Sequence, residues 1–143
     1  MTKNNYLDSC CGDGEFLSNL LDERLQALFV MDKKVVDEFN ILSVLTDIYG
    51  LDTSKDNVKA TRLKLMRVAI EHHKKIINQF PSDMFLTTLL DIVESNIQVG
   101  DCFTDKSISF TEWQVPMPLT FNKQPFSLNG KVETVYYNNI SLV

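Results

Sequence analysis

Asp8-Ser9-Cys10-Cys11-Gly12-Asp13-Gly14-Glu15-Phe16-Leu17, DSCCGDGEFL, stands near the start of a chain of 143 residues. Tyr6-Leu7 ahead of it is a short apolar run. Behind it, Phe16, Leu17, Leu20, Leu21 and Leu25 recur at helical spacing. Strand, glycine turn and helix in that order bring backbone N–H groups and a helix N-terminus up to a ligand. Gly12 and Gly14 are the first two glycines of a G-x-G-x-x-G pattern, with Leu17 in the third place. Such a stretch serves a metal site, a phosphate cradle or the floor of a nucleoside pocket.

The metal reading is the weakest of the three. Cys10 and Cys11 are adjacent rather than spaced as C-x-x-C, and no second ligand pair follows them. His72 and His73 are neighbours on an expected helix and point about 100° apart, so they do not share one metal-binding face. Three cysteines, two of them side by side, also make a poor disulfide framework. No metal is expected, and the thiols are expected to be reduced in a cytoplasmic protein. The opening MTKNNYLDS has no apolar core of a signal peptide. No apolar run approaches the ~20 residues that span a bilayer, so no membrane partner is expected.

Hydrophobic residues make up 44% and charged residues 23% of the chain, and its length suits one domain over 1–143 with a sizeable core. Apolar spacing continues from Leu28 through Leu45 to about Thr46, with a break near Asp32-Lys33-Lys34. Ile48-Tyr49-Gly50-Leu51 reads as a buried strand ending in Asp52. Thr53 or Ser54 caps a helix that runs to about Asn78. Leu86, Leu89, Leu90 and Val93 make a further helix, and Ile97-Gln98-Val99 a strand closed by Gly100-Asp101. Ile108 to Trp113 alternates as a strand covered on one face only. Asn129-Gly130 then signals a hairpin between PFSL and KVETVYY.

Three acids thus follow three strands. Asp52 after the second strand can accept hydrogen bonds from ribose hydroxyls, and Asp101 after the third from an exocyclic adenine amine. Asp8 can face the amino group of an amino-acid moiety. Carboxylates at three successive strand ends suit a cationic nucleoside with an amino-acid tail, a description that S-adenosylmethionine meets.

DSCCGDGEFL resembles the D-P-x-C-G-x-G-x-F-L motif of adenine-N6 DNA methyltransferases, including the modification subunits of restriction systems and short bacteriophage relatives. Residues 48–66, IYGLDTSKDNVKATRLKLM, resemble their second motif, and residues 96–103, NIQVGDCF, their third. The likeness covers residues 6–104. It implies a compact or truncated Rossmann-like class I methyltransferase fold, an α/β domain with parallel strand order 3-2-1-4, to which the Asn129-Gly130 signal adds a C-terminal β-hairpin. On that reading 1–104 is the cofactor-binding core, and 105–143 holds strand 4 and the hairpin. The resemblance also implies that Asp8, Cys10, Gly12 and Gly14 wrap the methionine part of S-adenosylmethionine. Asp52 would hold the ribose, while Asp101 and Cys102 would read the adenine.

The family activates its target amine with an Asp/Asn/Ser-Pro-Pro-aromatic loop after the fourth strand, and this chain has none. Glu112 and Trp113 stand at the corresponding place and are the candidate catalytic pair, an acceptor and a stacking ring. A net charge of −5 is unlike a nucleic-acid binder acting alone. The local exception is a helix carrying Lys55, Lys59, Arg62, Lys64, Arg67, Lys74 and Lys75, read first as a solvated face. Partners left open are DNA, a host protein and a second copy. Three functions compete: a methyltransferase, a non-enzymatic module acting on a restriction–modification or other host assembly, and an enzyme that cleaves the cofactor.

Overall fold

One strand organises the molecule. β2 (Ile48–Asp52) is buried at every one of its 5 residues, as expected of a parallel strand covered on both faces. The computed structural model describes residues 5–31, 37–104, 108–114, 120–127 and 140–141. β1 (Tyr6–Asp8) lies parallel to β2 on one side, with Tyr6 opposite Ile48 and Asp8 opposite Gly50. β3 (Ile97–Val99) lies parallel on the other, with Gly50 opposite Ile97 and Asp52 opposite Val99. The domain is α/β, built on a 3-stranded parallel sheet of order β1-β2-β3.

Each crossover carries two helices. Between β1 and β2 run α1 (Glu15–Met31) and α2 (Glu38–Leu45). The expected break near Asp32 falls between them; residues 32–36 lie outside the described residues. α2 starts on a reciprocal cap in which the Asp37 carboxylate accepts from the Asn40 N–H and the Asn40 side chain accepts from the Asp37 N–H. Between β2 and β3 run α3 (Lys55–Ile77) and α4 (Asp83–Asn96), capped by Ser54 and Ser82. α3 stops at Asn78, which takes the left-handed conformation that ends helices.

Alternation along β2 divides the core. Ile48 belongs with Leu17, Leu21 and Leu25 of α1, Leu42 and Leu45 of α2, Leu65 of α3 and Phe85 and Leu89 of α4. Each such side chain, fully withdrawn from water, contributes about 1.5–3 kcal/mol. Tyr49 and Leu51 instead meet Ile108 and Phe110, with the Tyr49 and Phe110 rings edge to face at 5.5 Å. The second layer is thus a β-hairpin rather than more helices.

That hairpin corrects one expectation. β4 (Ser109–Gln114) pairs antiparallel with β5 (Thr120–Ser127), from Ser109 opposite Ser127 to Gln114 opposite Asn122. The first residues of β5 pair in turn with β6 (Ile140–Ser141). Among the described residues no ladder joins β4 to β1, so 109–114 does not take the fourth place of a 3-2-1-4 order. The alternation of Ile108, Phe110 and Glu112 is the physical reason, since a strand covered on one face suits an antiparallel layer better than a doubly covered sheet. The turn expected at Asn129-Gly130 lies outside the described residues. No helix among those described is long and apolar enough to cross a membrane.

Candidate functional site

The glycine turn is built on β2 as much as on β1. Cys11 N–H donates to the Leu51 carbonyl at 2.8 Å, and Gly14 N–H closes the turn onto the Cys11 carbonyl at 3.1 Å. Gly12 and Gly14 have φ of 57° and 88°, a region that costs other L-residues roughly 1–2 kcal/mol. Their surroundings differ. A Cβ on Gly14 would stand 2.7 Å from the Thr61 Cα, whereas one on Gly12 would meet open space. Gly14 therefore lets α3 approach, and Gly12 leaves room above the turn.

Asp52 joins this turn to the start of α3. Its Oδ2 accepts from the Gly12 N–H at 3.0 Å. Its Oδ1 accepts from the Ser54 N–H at 2.9 Å and the Asn57 side-chain amide at 3.2 Å. Donation from Ser54, opposed by partial desolvation and helped by Asn57 and Gly12, holds the Asp52 carboxyl below its ordinary pKa. A carboxylate offers about four lone-pair sites, so three donors leave one for a ligand hydroxyl. Thr61 completes the joint by donating to the Gly12 carbonyl at 3.0 Å, within reach of the Asn57 carbonyl at 2.9 Å.

The remaining acids gather at the same end of the sheet. Asp8 accepts from the Cys10 N–H at 3.1 Å, in a turn that leaves Cys10 exposed. Gly100 N–H donates to the Asp52 carbonyl at 2.9 Å, which sets Asp101 directly beyond β3. Asp101 in turn accepts from the Phe103 N–H at 2.9 Å. Cys102 is half-buried against the hairpin layer. Cys11 lies buried under the turn, and burial pushes its thiol pKa up. Asp8, Cys10, Gly12, Gly14, Asp52, Asp101 and Cys102 thus all stand at the carboxyl ends of β1, β2 and β3.

Glu112 and Trp113 do not join them. The Trp113 indole is fully buried and donates to the Asn96 Oδ1 at 2.7 Å. Asn96 donates onward to the Thr46 and Ile48 carbonyls at 3.3 and 3.1 Å, around the start of β2. This is the opposite end of the sheet from Asp52. β4 descends toward that end, as shown by Gln98 donating to the Ser109 carbonyl and Tyr49 to the Thr111 carbonyl. Glu112, opposite Gln124, lies on the same descending strand. The pair proposed from sequence as catalytic is therefore displaced from the glycine turn, and the ring is structural.

The basic helix is also partly committed to packing. Arg62 donates to the Ile97 carbonyl at 2.9 and 2.6 Å and to the Glu94 carbonyl at 3.2 Å. Lys64 pairs with Asp13 at 3.0 Å. His72 pairs with Asp22 of α1 and His73 with Glu38 of α2, each at 2.6 Å, so the two rings are drawn to different helices. Sequence reasoning missed Thr61, Asn57 and Asn96. Asn57 was within reach, since it stands three residues after a helix-capping Ser54, where a side chain folds back over the helix start.

No protein-family model, curated protein or solved structure matches this chain.

Proposed function

We propose that this protein binds S-adenosylmethionine at the carboxyl ends of β1–β3, as a relative of adenine-N6 DNA methyltransferases that acts as a cofactor-binding module. The observation that carries the reading is the Asp52 carboxylate held against the Gly12 N–H with one acceptor site unspent. A ribose hydroxyl fits that remaining site. Asp8 suits the ligand's ammonium, and Asp101 the adenine amine. Beyond the Glu15 N–H, which donates to the Asp13 carboxylate at 3.3 Å, the first turn of α1 offers N–H groups to the ligand's carboxylate.

A binding module is favoured over an independent methyltransferase by the position of Trp113. A ring fully buried against Asn96 is unavailable to stack on a target base. Methyl transfer to adenine N6 would then require a partner, DNA-bound or protein, that supplies the activating groups.

Calorimetric titration with S-adenosylmethionine and its demethylated product tests the reading. The wild type should bind, Asp52→Ala should bind more weakly by about 1.5–3 kcal/mol, the usual worth of a hydrogen bond to a charged group, and Asp8→Ala should also bind more weakly. Two variants that bind as the wild type does, or a wild type that binds neither compound, would reject it. Product analysis of the same mixtures separates binding from methyl transfer and from cofactor cleavage.

A further inference from the structure

β1 ends the parallel sheet, and no described residue pairs with its outer side. In a parallel ladder alternate residues turn both backbone groups toward the same neighbour. Tyr6 N–H donates to the Asp47 carbonyl at 2.8 Å, so Tyr6 and Asp8 face β2. Leu7 between them turns its N–H and C=O outward. Natural edges are usually guarded by a charged side chain, proline, a bulge or extreme shortness; β1 is only 3 residues long and ends in Asp8, but its outward-turned residue, Leu7, carries no charge. Apolar groups flank the edge on both faces instead. Leu7 is 39% exposed, and Phe16 is 56% exposed with its ring 5.6 Å from that of Tyr6.

We infer that this edge pairs with β1 of a second copy of the chain, antiparallel across a two-fold axis at Leu7. The occupant follows from the register. A single outward-turned residue is self-complementary, because Leu7 and the partner's Leu7 can exchange both backbone hydrogen bonds as one antiparallel pair. That register sets Asp8 opposite the partner's Tyr6, so no two carboxylates face each other although each chain carries a net charge of −5. Leu7 and the partner's Leu7 then cover each other, as cross-strand pairs do. Two sheets of 3 strands become one continuous sheet. The carboxyl-end clusters stay open at its opposite ends, and the pairing does not rest on the cofactor reading.

Cross-linking of the full chain tests it. Residues paired in this way have Cα atoms about 5.5 Å apart, inside the range of a disulfide. Leu7→Cys, made with the exposed Cys10 changed to Ser, should form a disulfide-linked dimer under mild oxidation. It should do so roughly tenfold or more faster than Leu63→Cys in the same background, since only the first pair lies at bonding distance; Leu63 is 54% exposed on α3 and serves as the control. Light scattering of the wild type at rising concentration should show a dimer that Leu7→Lys shifts to monomer. Preferential cross-linking through Leu7 supports the pairing even where Leu7→Lys fails to fold. Equal rates for the two cysteine variants overturn it, as does a wild-type dimer that Leu7→Lys, folded by circular dichroism, leaves intact.

Discussion

Trp113 shows how far a single residue's neighbours in sequence can mislead. An aromatic after the fourth strand suggests a ring that stacks on a base, yet the indole N–H is spent on Asn96 and the ring on the core. Nothing in the sequence marks Asn96 as its partner, because the contact spans 17 residues and two elements. Trp113→Ala should therefore cost about 3–5 kcal/mol of stability, the range for emptying a large core site. It should leave unchanged, in the folded fraction, the affinity for S-adenosylmethionine proposed above. Chemical denaturation and calorimetry on the same samples check both halves, and a stable variant with lost affinity would return the ring to the site. Asp52 is the contrary case. Its position after an apolar run marks it as a strand-end acid, and the structure sets it where that reading puts it.

Among the elements, the helices and the fourth strand itself were legible, and the fourth strand's partner was not. Helix positions follow from apolar spacing and local caps such as Ser54 and Ser82, which depend only on nearby residues. The partner of β4 depends on where β5 returns, a non-local choice that alternation constrains without deciding. The helices are also joined by contacts that no local pattern announces. Glu38 of α2 receives the Ser82 hydroxyl at 2.6 Å, the Ser82 N–H at 3.0 Å and the His73 ring at 2.6 Å, tying α2, α3 and α4 together. Burial pushes the Glu38 pKa up, but Ser82 and His73 together pull it below the ordinary glutamate value. A lowered carboxyl pKa means that the folded state holds its proton less tightly than the unfolded state. Its contribution is complete above the unfolded value of about 4.3 and is lost as pH falls through the lower folded value. Glu38→Gln should accordingly be less stable than the wild type at neutral pH, with the difference narrowing below pH ~4. Melting temperatures across that window check it, and a gap that widens on acidification would contradict the sign.

At the scale of the molecule, three parallel strands and their helices gather the strand-end acids at one end of the sheet, while a hairpin closes the other face. The carboxyl-end cluster was readable because each of its members lies within a few residues of a strand end, where topology alone fixes position. The hairpin's placement was hidden because it depends on which face of β2 stays uncovered once both helix pairs have packed. One measurement bears most directly on whether the cluster is a cofactor site: amide and indole chemical shifts of the ¹⁵N-labelled protein titrated with S-adenosylmethionine. The Gly12, Gly14, Asp101 and Cys102 amides should move together and saturate, while the indole N–H of Trp113 at the opposite end of the sheet stays in place. Shifts centred on Trp113, or none at the glycine turn in excess ligand, would contradict the account.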